Sequence, residues 1–234
     1  EQWLLARSTL RRIEEKTNVN FSSKWRQAQK YADHICEPLQ HLKINLHKTS
    51  KILLLDGKYV NILGNSVCIH IACDSAIGVI DFWIDDTENK TAYAHILQRL
   101  KKLGYQPICC VSDDNLSISS LLKEEKIPHQ LCIFHLIKTL RFMVSEKNGF
   151  SLSIKPEFKV MYSRIKGIFK TTKIEKLPPK LDNFRELQTY WITNSQKYVL
   201  KWFWQKVQYA VMGLSFMENV PRTSNILENI NGQI

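Results

Sequence analysis

The sequence lacks the features that mark membrane-spanning and secreted proteins. It has no run of about 18 or more uncharged apolar residues, which excludes a membrane-spanning helix. Its first residues, Glu1-Gln2-Trp3-Leu4-Leu5, do not have the basic-then-apolar order of a signal peptide. We therefore expect an intracellular protein without membrane contact, cytoplasmic and nucleoid-associated if it is prokaryotic and nuclear if it is eukaryotic.

Paired cysteine motifs are also absent. The six cysteines (36, 68, 73, 109, 110, 132) form no C-x-x-C pair, and most lie in apolar, strand-like segments. This pattern predicts buried, reduced thiols. Cys132 and His135 could supply two ligands of a zinc site, but a structural site needs four. Only one of the adjacent Cys109 and Cys110 could face such a site, so a buried cysteine beside a hydrogen-bonding histidine is the favoured interpretation.

Basic charge is abundant and unevenly distributed. The net charge is +11 over 234 residues, with +4 in residues 1–50, −2 in 51–137, +10 in 138–206 and −1 in 207–234. Each basic run alone is typical of a solvated surface. Basic flanks around an acidic centre favour a protein that binds a polyanion such as double-stranded DNA and performs metal chemistry on it.

The apolar spacing in residues 1–35 predicts short helices around a turn at residues 17–20. This arrangement favours a helix-turn-helix DNA-binding domain. Its second helix would lie in the major groove, with Lys24, Arg26 and Gln27 facing phosphates or base edges. A plain helical hairpin is the alternative. Residues 36–50 are predicted to form a linker.

An α/β catalytic core is predicted for residues 51–137. Three apolar runs separated by short turns predict an antiparallel meander, and two further runs alternate with helices. The predicted elements are strands at 51–56, 66–73, 78–84, 107–112 and 129–134, and helices at 90–103 and 116–126. Because a helix links the last two strands, we expect them to pair in parallel and to give a mixed sheet.

Residues 138–216 are basic and aromatic, and they contain no convincing alternating strand. We predict an all-helical insertion there, interrupted near Pro178-Pro179. Lys138 and Arg141 are candidate DNA contacts. Most of the aromatic side chains are expected in the core of the insertion, although some could stack on unpaired bases. Residues 217–234 are predicted to carry a final helix of the catalytic core.

Two acids follow predicted strands that would be neighbours in the sheet. Asp56 ends the first strand and Asp113 follows the fourth, so their carboxylates would meet at one edge. A helix lying across that edge could add Glu228 as the third acid. Three converging carboxylates suit Mg²⁺ or Mn²⁺, and two such ions can activate a nucleophile and stabilise a leaving oxygen.

Each acid also has a structural interpretation. Asp56 and Asp113 could be turn residues that end strands. Glu228 could complete a capping box with Asn225. Asp114 could replace Asp113 in the site, although adjacent strand residues face opposite ways.

A second acidic cluster precedes the predicted helix at residues 90–103. It comprises Asp85, Asp86 and Glu88. Acids near a helix start are stabilised by the helix dipole, so we interpret this cluster as structural.

Residues 52–231 resemble DDE transposases of the Mutator type and related bacterial and archaeal insertion-sequence enzymes. The matching segments are Leu54-Leu55-Asp56-Gly57-Lys58-Tyr59, Val111-Ser112-Asp113, the C-x-x-H segment from Cys132 to His135, and Arg222, Thr223, Asn225, Glu228 and Asn231 in an R-T-x-N-x-x-E-x-x-N pattern. The resemblance implies a ribonuclease-H-like fold with a helical insertion before the third acid.

The resemblance also implies a reaction. DNA would be cleaved by water, and a 3′-hydroxyl would then be joined to target DNA, with Asp56, Asp113 and Glu228 holding two Mg²⁺ or Mn²⁺ ions. His135 would contact DNA or help to arrange the site. Arg222 is a further candidate DNA contact, and we expect a homodimer or higher oligomer on the DNA. Members of this family usually continue through a longer basic helix, whereas this chain ends six residues after Glu228. The alternative is a catalytically inactive or truncated transposase-derived DNA-binding protein.

Overall fold

The computed structural model describes residues 46–62, 65–148, 151–216 and 220–223. The chain divides into two compact units, residues 1–44 and 45–234, and the described residues belong to the second. The predicted helix-turn-helix with Lys24, Arg26 and Gln27 lies outside the described residues, and so does Glu228.

A five-stranded mixed sheet forms the centre of the second unit. Its strands are β1 (Ile52–Ile62), β2 (Asn65–Asp74), β3 (Gly78–Asp85), β4 (Cys109–Ser112) and β5 (His129–Leu131). Their order across the sheet is β3-β2-β1-β4-β5. The first three strands pair antiparallel, whereas β4 pairs in parallel with both β1 and β5. The predicted meander followed by helix-linked parallel strands is confirmed.

Two strand boundaries differ from the prediction. The first strand does not end at Asp56 but continues to Ile62, because β2 pairs with it along its whole length. The fifth strand ends at Leu131, and Ile133 begins a helix instead of continuing the strand to residue 134. The apolar run at this point serves both elements, and periodicity alone cannot divide such a run.

Six α-helices accompany the two sheets of the described part of the chain. They are α1 (Lys90–Lys102), α2 (Leu116–Glu124), α3 (Ile133–Val144), α4 (Lys159–Phe169), α5 (Leu177–Leu187) and α6 (Asn194–Phe216). The first helix follows its prediction closely. Asn89 caps it by accepting a hydrogen bond from the Ala92 amide, and Gly104 follows its end at φ +81°, in the left-handed region that glycine tolerates. None of the described helices is long and apolar enough to cross a membrane.

The insertion is not all-helical, and this part of the prediction is wrong. A two-stranded hairpin, β6 (Ser145–Asn148) and β7 (Ser151–Ile154), follows α3 directly. The dipeptide Asn148-Gly149 is a strong hairpin signal, but strands of four residues are too short for their alternation to stand out.

Different elements cover the two faces of the sheet. On one face, Leu54 and Val111 pack in a buried cluster with Cys132 and Val220, and Met212 of α6 lies against it. On the other face, the ring of His70 packs edge-on against Tyr93 of α1. The insertion has its own core around α3 to α6, which contains Phe169, Phe184 and Phe203, as expected for most of its aromatic side chains.

Candidate active site

The register of the parallel strands brings Asp56 and Asp113 to the same level. Leu54 of β1 is the Cα partner of Val111 of β4. Asp56 and Asp113 each lie two residues further along their strands, so they are at the same level in the sheet. Because side chains alternate along a strand, both point to the same face as Leu54 and Val111. The pairing of β4 with β1 stops just before these acids, so they lie where the two strands separate.

The two aspartates differ in exposure, since Asp56 is buried and Asp113 is half-buried. Asp56 is only 8% exposed, and its Oδ1 accepts a hydrogen bond of 3.0 Å from the Gly57 amide. The Oδ1 atom of Asp113 accepts a hydrogen bond of 3.1 Å from the Asn115 amide. Burial raises the pKa of Asp113, the negative charge of Glu88 raises it further, and the Asn115 amide opposes both. Anionic carboxylates here are therefore costly unless positive charge is nearby.

Asp114 points to a different partner. Its Oδ1 accepts a hydrogen bond of 2.7 Å from the Nζ of Lys206 on α6, and the two side chains form a salt bridge. This geometry favours Asp113 over Asp114 as the second acid of the site.

His135 lies in the first turn of α3, beside the two aspartates. Its pKa is raised to about 9, first by a hydrogen bond with Cys132 and then, against the effect of burial, by the charges of Cys132, Asp56 and Asp113. The raised pKa favours the protonated form of His135, whose charge interacts with Cys132 and with the two acids. The C-x-x-H segment thus places a proton donor at this end of the sheet.

Within the described ranges, no three histidine, cysteine, aspartate or glutamate side chains are grouped so that they could hold a metal ion, and this covers Asp56 and Asp113 as well as Cys132 and His135. Cys68, Cys73, Cys109, Cys110 and Cys132 are free and buried, as predicted for reduced thiols. Cys36 lies outside the described residues.

Glu88 is the acid whose place was not anticipated from the sequence. It was interpreted as a charge that stabilises the start of α1, but its Oε1 accepts a hydrogen bond of 2.6 Å from the Tyr93 hydroxyl. A Cβ on Gly57 would lie 2.7 Å from the Glu88 Cδ, so the carboxylate rests against bare backbone next to Asp56. The only sequence signal was a glycine directly after an acid in a buried strand.

Arg222 of the R-T-x-N-x-x-E pattern is turned inward. Its Nη1 donates to the Thr171 carbonyl after α4, and its Nη2 donates to the Ala210 carbonyl of α6 at 3.1 Å. Its own carbonyl accepts a hydrogen bond of 2.8 Å from the Ile133 amide at the start of α3. Arg222 thus ties the segment that precedes Glu228 to the helices beside His135, and its DNA contact stays a prediction.

An open cleft extends from Asp113 along α3. We call it the acid cleft; its volume is about 900 Å³, and its lining includes Asp113, Asp114, Asn115, His135, Lys138, Arg141 and Phe142. The predicted contacts Lys138 and Arg141 therefore line the same cleft as Asp113. The structure brings together Asp56, Asp113, His135, Lys138 and Arg141.

Comparisons with known proteins place the chain in a family. A search of curated proteins found no match. Two structures of the catalytic core domain of HTLV-2 integrase in complex with magnesium, in dimeric and trimeric forms, are 16% and 15% identical to the chain. The alignments cover 40% and 71% of this chain and 74% and 90% of those chains, each with a TM-score of 0.29, which is too low to support a conclusion. The family model for transposases of the Mutator family matches residues 21–234. The chain therefore belongs to the Mutator family of transposases.

Proposed function

We propose that this transposase cleaves DNA and joins the 3′ end to target DNA by metal-dependent DDE chemistry. The observation that carries the proposal is the level register of Asp56 and Asp113 on neighbouring parallel strands, with Asp56 buried and Asp113 half-buried at the lining of an open cleft. The strand order β3-β2-β1-β4-β5 supports the further proposal that the core is ribonuclease-H-like. In this proposal residues 51–137 and 217–234 form the core and 138–216 the insertion.

The donor set fits a hard divalent cation such as Mg²⁺ or Mn²⁺. Asp56 and Asp113 offer carboxylate oxygens on one face of the sheet, which are the ligands that these ions prefer. Asp56 and Asp113 would hold two ions together with Glu228, which we propose as the third acid. When bound, the ions would polarise the attacking water or hydroxyl and stabilise the leaving oxygen of the phosphodiester.

The surrounding side chains would hold the DNA in place. The raised pKa of His135 favours its protonated form, which would donate a hydrogen bond to a phosphate oxygen beside the aspartates. Lys138 and Arg141 line the same cleft and would bind the adjacent backbone phosphates. Residues 1–35 would bind the transposon ends as a helix-turn-helix, and a dimer or higher oligomer would hold two ends together.

The first test replaces the acids one at a time. We expect Asp56→Asn and Asp113→Asn to lower strand transfer with Mn²⁺ by at least about a hundredfold, because each change removes an oxygen that would stabilise the transition state. The matched control is Asp114→Asn, which makes the same chemical change next to Asp113 and should stay within a few-fold of the parent. The assay measures joined product from labelled element ends, with circular dichroism to check folding.

The outcomes separate the proposed function from its alternative. Undiminished joining by either Asn variant would contradict the mechanism. A parent protein that binds element ends but neither cleaves nor joins them, and shows no Mg²⁺ or Mn²⁺ binding in calorimetry, would support the catalytically inactive DNA-binding protein instead.

A further inference from the structure

A groove between α3 and α4 adjoins the acid cleft. Its volume is about 620 Å³, and its two walls carry matching rows of side chains. The α3 wall carries Phe134, Lys138 and Arg141, and the α4 wall carries Tyr162, Lys166 and Lys170. Each row thus combines one aromatic ring with two cations. We call this surface the α3–α4 groove.

The rows follow from helix periodicity. Side chains three or four residues apart lie on the same face of a helix, and four residues advance by about 6 Å along the axis. Lys166 and Lys170 therefore form a short ladder of positive charge along α4, and Lys138 and Arg141 form one along α3. Groups on an extended polyanion could contact successive cations of both ladders.

The four cations have no acidic partners among the described residues. Some cations elsewhere in the described ranges pair with acids, as Arg99 does with Asp81 and Lys206 with Asp114. In the groove, Arg141 donates only to the Leu152 carbonyl, and the Nζ of Lys166 lies 5.5 Å from the centre of the Tyr162 ring. None of the described lining residues is acidic. Among the residues that the structure describes, the groove therefore carries positive charge without an acidic partner, which suits phosphates.

The groove and the acid cleft share two lining residues. Lys138 and Arg141 line both, so we take them as the ridge that a strand would cross between the two. A strand in the groove would cross this ridge and reach Asp113 and His135. The inference below rests on the proposed function, because that function supplies the DNA at these acids.

Exposed aromatic rings indicate which form of DNA fits. Phe134 is 44% exposed on the groove side of α3, and Phe142 is 69% exposed in the acid cleft. In a duplex the base faces are stacked inside, whereas an unpaired strand offers them to aromatic rings beside a basic groove. We propose that the α3–α4 groove binds a single DNA strand that enters the acid cleft over Lys138 and Arg141, with a base stacked on Phe142.

The test measures binding, which does not depend on catalysis. The full chain with Asp56→Asn is titrated against a fluorescent single-stranded 15-mer and the matching duplex, without divalent ions, over a salt series. Lys166→Glu/Lys170→Glu is expected to weaken single-strand binding at least tenfold. It should also reduce the salt-dependence slope by about 1.4, which corresponds to two single-strand phosphates at about 0.7 each.

Matched controls on α6 test whether any loss of basic charge, or of an exposed aromatic ring, weakens DNA binding. Lys197→Glu/Lys201→Glu makes the same charge change at the same spacing on α6, where both lysines are exposed. Phe142→Ala is compared with Tyr198→Ala, whose ring is 67% exposed on α6. Phe142→Ala should weaken single-strand binding roughly fivefold or more, as the loss of one stacked base does, and both α6 controls should stay within about twofold of the parent.

Three results would overturn the inference. They are equal losses in the groove and α6 charge variants, unchanged single-strand binding by Lys166→Glu/Lys170→Glu, or a larger loss for the duplex than for the single strand. Loss of single-strand binding by the groove variant, with strand transfer unaffected by Asp56→Asn, would retain the groove and reject the proposed chemistry.

Discussion

At the scale of single residues, the candidate site depends on which way a few side chains point. Asp113 and Asp114 are adjacent, yet Asp113 bonds the Asn115 amide near the acid cleft and Asp114 bonds Lys206. Arg222 likewise could face DNA or the interior, and its guanidinium donates to the carbonyls of Thr171 and Ala210. Hydrogen bonds of a charged donor to buried carbonyls are stronger than neutral ones, so we expect Arg222 to stabilise the fold.

This role of Arg222 can be measured. Arg222→Ala should lower the free energy of unfolding by about 2–3 kcal/mol, because two carbonyls lose a charged donor. Arg164→Ala, at an exposed position on α4, is the matched control and should change it by less than about 0.5 kcal/mol. Urea unfolding followed by circular dichroism gives both values. An Arg222→Ala protein that is as stable as the parent but binds DNA more weakly would instead support the predicted DNA contact.

At the scale of elements, β1 and the start of α1 pack closely against each other at Gly57. The Glu88 carboxylate lies against Gly57, and the Tyr93 hydroxyl holds it there. The backbone of β1 can approach this closely only because Gly57 has no side chain. The strand that carries Asp56 and the helix start that carries Glu88 are therefore fitted to each other.

A double-mutant cycle tests this fit. Gly57→Ala would place a methyl group 2.7 Å from the Glu88 Cδ, so the carboxylate must move and lose its bond to Tyr93. In the parent background, we expect Gly57→Ala to lower the free energy of unfolding by about 1–2 kcal/mol. In a Glu88→Ala background, the loss caused by Gly57→Ala should be smaller by at least about 1 kcal/mol. The control is Gly167→Ala, where an added methyl meets nothing within 4 Å. Equal losses in both backgrounds would show that Gly57 and Glu88 are not coupled.

At the scale of the whole molecule, buried titratable groups couple stability to pH. Burial lowers the pKa of His129 to about 4, with a smaller opposing effect from Asp114 and a further lowering by Lys206. Folded His129 is therefore neutral where the unfolded side chain, with a pKa near 6.5, takes up a proton. The contribution of neutral His129 to the free energy of unfolding is complete above pH 6.5, and it is lost as the pH falls towards 4.

The variant to measure is His129→Gln. In the parent, the Nε2 of His129 lies 2.8 Å from the Ser112 hydroxyl, and the glutamine amide retains a donor for that hydroxyl. Between pH 7 and pH 5 the parent should lose about 1–2 kcal/mol more unfolding free energy than the variant. Asp81 acts in the opposite direction, because burial raises its pKa to about 6 despite Arg99. Since Asp81 is present in both proteins, its effect cancels in the comparison. Parallel pH profiles for parent and variant would refute the assignment to His129.

The sequence by itself determined the order of the strands along the chain, the limits of α1 and the positions of Asp56 on the first strand and Asp113 just after the fourth. These features depend on local periodicity, which repeats every two residues in a strand and every three to four in a helix. The R-T-x-N-x-x-E pattern and the other motifs were likewise readable as short segments, and they pointed to the family that the comparison found.

Only the tertiary structure decided the partners of Glu88, Asp114 and Arg222 and the alignment of the two basic rows in the α3–α4 groove. Each of these depends on segments distant in sequence, such as Thr171 and Arg222, that are brought together when the sheet and the insertion pack. A local pattern records which face of its own element a side chain occupies. It does not record which element will cover that face, because packing of the whole chain determines this.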